Sequence, residues 1–235
     1  MYKRVLLKLS GEVLAASREA PFSETLLQQY ATDIVTALQQ GIEIGVVVGG
    51  GNILRGREIK TDLICRRTAD HMGMLATVMN GLALRDAILQ AGAPACLFSA
   101  KSIEGVAKSF DPVAAEEALS AGQVVIFTGG TGNPFVTTDA ASSLRGLEIG
   151  AEVLLKATNV DGVYSADPKV DTSAILYSTL SFDQALVEQL AVMDVAAFSQ
   201  CRDYDLPIRV FNIYKSGALL NALLGADEGT LISNA

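Results

Sequence analysis

Residues 42–52 read IEIGVVVGGGN, an apolar run that ends abruptly in three glycines and an asparagine. Consecutive valines favour an extended strand, and an apolar run without polar alternation reads as a strand buried on both faces. Glycines at its end leave a backbone that another group can approach closely. A strand of this kind belongs inside a parallel sheet, where ligands gather outside the carboxyl ends of the strands.

The pattern repeats in both directions from this stretch. Strand-like runs lie at 4–9 (RVLLKL), 94–98 (PACLF), 123–127 (QVVIF), 152–155 (EVLL) and 207–211 (PIRVF). Helical periodicity fills 24–40 and about 69–91. A further helix opens on Asp111-Pro112, an N-cap followed by an N1 proline, and stops at Gly122. Others follow Thr138-Asp139, start from the capping box Ser181 to Gln184, and occupy 215–224 before a short GTLIS strand. This alternation predicts an α/β fold, a three-layer αβα sandwich with a mainly parallel sheet. No linker and no internal repeat divides the chain, so residues 1–235 read as a single domain.

Half of the 235 residues are hydrophobic, 19% are charged and 21 are glycine, a globular composition with no disordered tract. A net charge of −8 without a basic stripe argues against nucleic acid as a partner. No apolar run approaches the roughly 20 residues of a membrane span, and MYKRVLLKLSGE is too short in its apolar part for a signal peptide. Cys65, Cys96 and Cys201 are spaced for neither a disulfide framework nor a zinc site and suit a reducing cytoplasm.

Four strand ends carry unusual residues: KLSG after the first, GGGN after the second, TGGTGNP after 123–127 and KATNVDG after 152–155. Together they predict one rim and one site. The two glycine-rich ends, 49–51 and 129–132, could hold two phosphate groups through backbone N–H donors. Neither is a known cradle. Gly51 to Gly56 has P-loop spacing, but Arg57-Glu58 stands where Lys-Ser/Thr is required, and Leu54 occupies the third small position of a dinucleotide fingerprint.

The cation must therefore come from elsewhere. Lys8 interrupts the apolar strand VLLKLSG and either snorkels to solvent or neutralises a transferring phosphoryl group, with Ser10 and Gly11 beside it. Asp139 is either a helix N-cap or a carboxylate orienting that lysine. Asp161 and Asp167 suit turns or a nucleotide site, and Arg55 and Arg57 suit a phosphate clamp or the solvated surface. His71, the sole histidine, reads as packing rather than as a general base, and Met72, Met74 and Met79 read as core filling.

These blocks also carry a family likeness. KRVLLKLSGE, GVVVGGGNILRG, DHMGMLATVMNGLALRDA, GTGNPFVTTDAA, LKATNVDGVYSADP, VMDVAAFSQCRD and LPIRVFN resemble bacterial uridylate kinases of the amino acid kinase superfamily over nearly the whole length. The resemblance implies a cytoplasmic enzyme of pyrimidine nucleotide biosynthesis that converts UMP to UDP with ATP and Mg²⁺. The metal would ride on the ATP phosphates. It implies an αβα sandwich around an eight-stranded sheet, a homohexamer, feedback inhibition by UTP, and GTP activation in many members.

Carried onto this chain, the resemblance implies that Lys8, Arg55, Asp139 and Asp167 form the catalytic group. ATP would lie against Lys8, Leu9, Ser10 and Gly11, with Gly51 and Arg55 at its phosphates. Thr158, Tyr164 and Asp167 would line its nucleoside side. UMP would contact Gly50, Asp70 and the run Thr131, Gly132, Asn133, Pro134, Phe135, Val136, Thr137 and Thr138. Two segments depart from the family pattern. No glycine lies between Glu12 and Gln40, where many members are glycine-rich near the GTP-activation region, and 57–68 differs as well. Two alternatives compete. A small-acid kinase of the same superfamily is opposed by DHMGM and GNPF, and a non-catalytic nucleotide sensor is opposed by the retained Lys8 and carboxylates.

Overall fold

The structure, a computed structural model, describes residues 2–17, 20–54, 63–168, 170–190 and 192–234. Its elements run β1 (Arg4–Leu9), α1 (Glu24–Gln39), β2 (Glu43–Val48), α2 (Arg66–Gln90), β3 (Ala95–Ser99), β4 (Lys108–Ser109) and α3 (Pro112–Ser120). The second half continues with β5 (Val124–Thr128), α4 (Thr138–Glu148), β6 (Val153–Thr158), β7 (Thr179–Ser181), α5 (Phe182–Val187), α6 (Val195–Asp203), β8 (Ile208–Asn212), α7 (Ala218–Leu223) and β9 (Thr230–Ser233). One short 3₁₀ turn, Gly11–Leu14, follows β1.

The strands form one sheet in the order β4-β3-β5-β2-β1-β6-β8-β9-β7. Every pairing is parallel except β8 with β9. The sheet has nine strands where eight were expected. Its outermost strands are β4, of two residues, and β7, of three, both too short to leave a period-two signal in the sequence. Helix α6 was also unanticipated.

Period-two pleating decides which side chains meet which helices. Val5, Leu7 and Leu9 of β1 join the core shared with α1, α2 and α7. Leu6 points the other way, into the core shared with α3, α4, α5 and α6. The same parity sends Leu155 and Ala157 of β6 to the first face and Leu154 to the second. Lys8 and Lys156 therefore emerge on the α4 side of the sheet. They are direct cross-strand neighbours, since β1 and β6 pair with Lys8 opposite Lys156.

The sequence-marked helix ends behave as capping chemistry requires. Asp111 accepts the N–H of Ala114 at 2.8 Å, and Ser181 accepts that of Gln184 at 3.0 Å. The Ser181 box is only half closed, because the Gln184 side chain turns to Glu188 instead. At α4 the cap is Thr137, whose hydroxyl accepts the N–H of Ala140 at 3.1 Å. Asp139 sits in the first turn and is thereby freed for another partner, which overturns its reading as an N-cap.

Helix α2 spans Arg66–Gln90, 25 residues. Among the described helices it alone is long and apolar enough, by length and composition, to cross a bilayer, where no such run was expected. Its inner face nonetheless carries Thr77 and Asn80, buried and hydrogen-bonded to other segments. The methionines do not fill the core as expected: Met79 is half exposed and Met72 and Met74 are only partly covered. Gly81 is what lets α2 approach the sheet, since a Cβ there would lie 2.4 Å from Thr128 Cγ2 and 2.8 Å from Leu97 Cδ1. Gly81→Ala is expected to lower stability by about 1–3 kcal/mol through overpacking, measured by denaturant or thermal unfolding.

Candidate active site

The carboxyl ends of β1, β2, β5 and β6 open into a cavity of about 580 Å³. Lys8, Ser10 and Gly11 reach it from β1, Gly49, Gly50 and Gly51 from β2, and Lys156 from β6. Gly130 and Thr131 enter from the loop after β5, and Thr138 and Asp139 from the start of α4. Asp70, Gly73, Met74 and Thr77 of α2 form one wall, and Val192, Met193 and Asp194 another.

The two glycine loops are glycine-rich for different physical reasons. At the first, no residue from Gly49 to Gly51 has positive φ, so close approach is the constraint. A Cβ on Gly11 would lie 2.3 Å from Asn52 Oδ1 and 2.8 Å from the Gly51 nitrogen. One on Gly50 would lie 2.7 Å from the Gly73 carbonyl oxygen in α2. The backbones after β1 and β2 are thus packed against each other and against α2. The second loop needs left-handed backbone: Gly129, Gly130 and Gly132 have φ of 74°, 58° and 79°.

Phe135, with φ of 68°, continues that left-handed run without being glycine. Its N–H donates to Asp70 Oδ2 at 2.9 Å, which offsets part of the conformational cost. Arg66 Nε holds the same carboxylate at 2.8 Å, and the Arg66 guanidinium lies 5.7 Å from the Phe135 ring centroid. Partial burial tends to raise the Asp70 carboxyl, but these two donors outweigh it and hold it below its ordinary range.

At the floor of the cavity lies an ionic triad. Asp139 is 3.0 Å from Lys8 Nζ through one oxygen and 2.6 Å from Lys156 Nζ through the other. Lys8 is 9% exposed, which excludes the snorkelling alternative. Burial would raise the Asp139 carboxyl, yet the two ammonium groups prevail and hold it below the usual carboxylate range. Burial pushes the Lys156 ammonium down, Asp139 offsets part of that shift, and the charge on Lys8 adds to it. Beside the triad, Asp194 caps α6 at the Ala197 N–H and accepts the Thr137 hydroxyl. Burial, followed by the Asp139 and Asp194 charges, lifts the Cys201 thiol to about 12, so it stays protonated.

The expected site residues fall into five groups. Lys8, Ser10, Gly11, Gly50, Gly51, Asp70, Thr131, Phe135, Val136, Thr137, Thr138 and Asp139 line the cavity. Leu9 does not: pleat parity buries its side chain in the α1 core, and its carbonyl is taken by the Gly49 N–H at 2.8 Å. Gly132, Asn133 and Pro134 belong to the same loop but stand outside the cavity, with Gly132 packed 3.3 Å from Ala100 Cβ by the position its own Cβ would take. Thr158, Tyr164 and Asp167 lie beyond it too, at and after the end of β6. There the Thr158 hydroxyl donates to the Val160 carbonyl at 2.9 Å, and the Tyr164 hydroxyl donates to Asp161 at 3.4 Å. Arg55 and Arg57 lie outside the described residues. His71 borders a separate, small apolar hollow with Leu75 and Val78.

Sequence reasoning passed over Lys156, Asp194, Thr77 and Asn80. Lys156 had a usable signal: VLLK occurs at 5–8 and again at 153–156, a lysine breaking an apolar strand twice. Asp194 had a local signal only as the N-cap of α6, and Thr77 and Asn80 had none, because the loops they hold are far away in sequence.

An αβα sheet whose central strand ends supply two glycine loops and a buried pair of lysines defines a phosphotransferase-type site. Residues 3–212 match the amino acid kinase family model. The chain is 52% identical to uridylate kinase of Coxiella burnetii over 232 residues, covering 99% of this chain and 96% of that protein. A UMP kinase structure from Bacillus anthracis superposes with a TM-score of 0.95 at 38% identity, over 99% of this chain and 96% of the other. One from Ureaplasma parvum gives 0.94 at 32% identity over the full length of both. The chain belongs to the amino acid kinase family, and within it to the bacterial uridylate kinases.

The triad sets a pH signature. A carboxyl depressed in the folded state contributes stability above its unfolded pKa and loses it as pH falls through the folded value. Asp139→Asn should therefore cost on the order of 3–5 kcal/mol at neutral pH, leaving two buried ammonium groups unpaired. The gap from the parent protein should narrow in strong acid, read from denaturant unfolding across pH.

Proposed function

We propose that this protein catalyses reversible phosphorylation of UMP to UDP with Mg-ATP, the observation carrying it being Lys8 and Lys156 held by one carboxylate beneath two glycine loops. The cavity spans both loops, so donor and acceptor phosphates meet over the lysines. An oxygen of the UMP phosphate attacks the γ-phosphorus in line, the bond to the β,γ-bridging oxygen breaks, and ADP leaves with that electron pair. The attacking phosphate is already ionised, so no general base is needed and none is placed. Asp139 fixes the positions of both ammonium groups, and they stabilise charge on the equatorial oxygens as it develops.

Gly11 and Gly51 serve the ATP phosphates, with Arg55 as their further cation. Thr158, Tyr164 and Asp167 take the nucleoside, supported by the shelf that Asp161 and Asn212 form between β6 and β8 through a 2.9 Å hydrogen bond. Gly50, Asp70 and the loop from Thr131 to Thr138 take UMP. The residues fit Mg²⁺ carried on phosphate oxygens. Both oxygens of Asp139 face lysines, and those of Asp194 accept from Ala197 and Thr137. The ion supplies charge neutralisation that a chain of net −8 otherwise provides only locally.

Residues 1–235 act as one cytoplasmic kinase domain, a setting that free Cys65, Cys96 and Cys201 suit. UTP is read as a feedback inhibitor on the likeness to the bacterial uridylate kinases. A homohexamer accords with the apolar stripe on α2, where Leu75 is 56% and Met79 50% exposed one turn apart.

Lys8→Ala should abolish turnover while the protein stays folded, checked by ADP release alongside circular dichroism. The assay offers UMP, CMP, aspartate, glutamate and carbamate in turn, and no turnover with UMP would sink the reading. Leu75→Glu with Met79→Glu should shift the species seen by light scattering to a smaller mass; an unchanged mass removes this stripe from the interface.

A further inference from the structure

Two polar side chains on the inner face of α2 have no assigned role in the proposed reaction, yet each grips one glycine loop. Asn80, fully buried, donates through Nδ2 to the Gly49 carbonyl at 2.6 Å. It also exchanges amide hydrogen bonds with Asn52, at 2.7 Å and 3.1 Å. Three residues earlier, the Thr77 hydroxyl accepts the Gly129 N–H at 2.7 Å and donates to the Met74 carbonyl at the same distance. Thr77 is 4% exposed, so this pairing is shielded from solvent.

Close packing makes these grips stiff. Gly50 meets α2 backbone at the Gly73 carbonyl, and Gly81 lets α2 pack directly on the Thr128 side chain at the end of β5. Residues 73, 77, 80, 81 and 84 share one face by the 3.6-residue period. Pairing of β2 with β5, Val47 opposite Phe127, brings Gly49 and Gly129 near each other, and a single turn of the 25-residue helix α2 then holds the distance between the two loops that follow. An in-line transfer is sensitive to that distance, because misplacement of the reacting groups lowers rate steeply.

We propose that α2 is the spacer that sets donor against acceptor, with Thr77 the positioning residue for the acceptor loop and Asn80 the positioning residue for the loop between the two substrates. The assignment of loops to substrates rests on the UMP kinase reading above. The two residues consequently differ in kinetic signature. Thr77→Val keeps the shape and removes the acceptor for Gly129. It raises KM for UMP roughly tenfold, the scale of one lost hydrogen bond, with kcat and KM for ATP nearly unchanged. Thr77→Ser keeps the hydroxyl and restores the parental values. Asn80→Leu releases Gly49, the residue before Gly50 and Gly51 that the reading above gives to UMP and ATP, and lowers kcat more than either KM.

The test combines steady-state kinetics with amide hydrogen exchange of the ligand-free protein. Exchange at Gly129 should speed up in Thr77→Val, return in Thr77→Ser, and stay slow in Asn80→Leu. Thr77→Ala, read by the same exchange, serves if the valine variant folds poorly. Equal effects of the Thr77 and Asn80 variants on every kinetic parameter would overturn the proposal, as would unchanged Gly129 exchange in Thr77→Val. If the parent protein fails to turn over UMP, the functional reading falls by itself, and the exchange data still decide whether Thr77 holds the loop.

Discussion

A carboxylate shared by two buried ammonium groups governs the organisation of this molecule. Asp139 lies 3.0 Å from Lys8 and 2.6 Å from Lys156, and each of the three comes from a different element. Any one of these charges alone in the core would carry a desolvation penalty that few proteins tolerate. Held together they carry one net positive charge on the floor of a cavity built for anions. The triad requires β1 and β6 to be adjacent and in register, and requires α4 to begin above them. The sheet order and the Thr137 cap provide both.

Around that centre, glycine does two jobs that look alike in a sequence. Gly49 to Gly51 have no positive φ, and Gly49 and Gly50, with Gly11, are small so that the backbones after β1 and β2, and helix α2, can touch. Gly129, Gly130 and Gly132 stand in left-handed conformations that shape a loop, with the Gly129 N–H given to Thr77 and the Gly132 N–H to the Gly129 carbonyl. The first loop is thus defined by what presses on it and the second by its own dihedral angles. Helix α2 bridges them with Asn80 and Thr77, so the packing layer beneath the site also fixes its dimensions.

Much of this was legible beforehand. Strand positions, the αβα layering and the shared rim followed from apolar runs and helix caps, because those signals are local and physically strong. Lys8 stood out because an ammonium in an apolar strand requires an explanation. Leu9 was expected beside Lys8 and Ser10 at the site, whereas pleating turns its side chain to the opposite face. Asp139 could be read two ways until Thr137 was seen to cap the helix. The short strands β4 and β7 left no period to detect.

The sequence by itself determined the fold class, the two glycine loops and the first lysine, since each rests on residue type and short-range spacing. Only the tertiary structure decided that Lys156 answers Lys8 across the β1–β6 ladder, that Asp139 lies between them, and that Thr77 and Asn80 each hold a loop. Those facts depend on strand order and on helix placement above the sheet. Contacts spanning 17 to 131 residues arise from global packing, and no local pattern encodes which distant partner a buried polar group will meet.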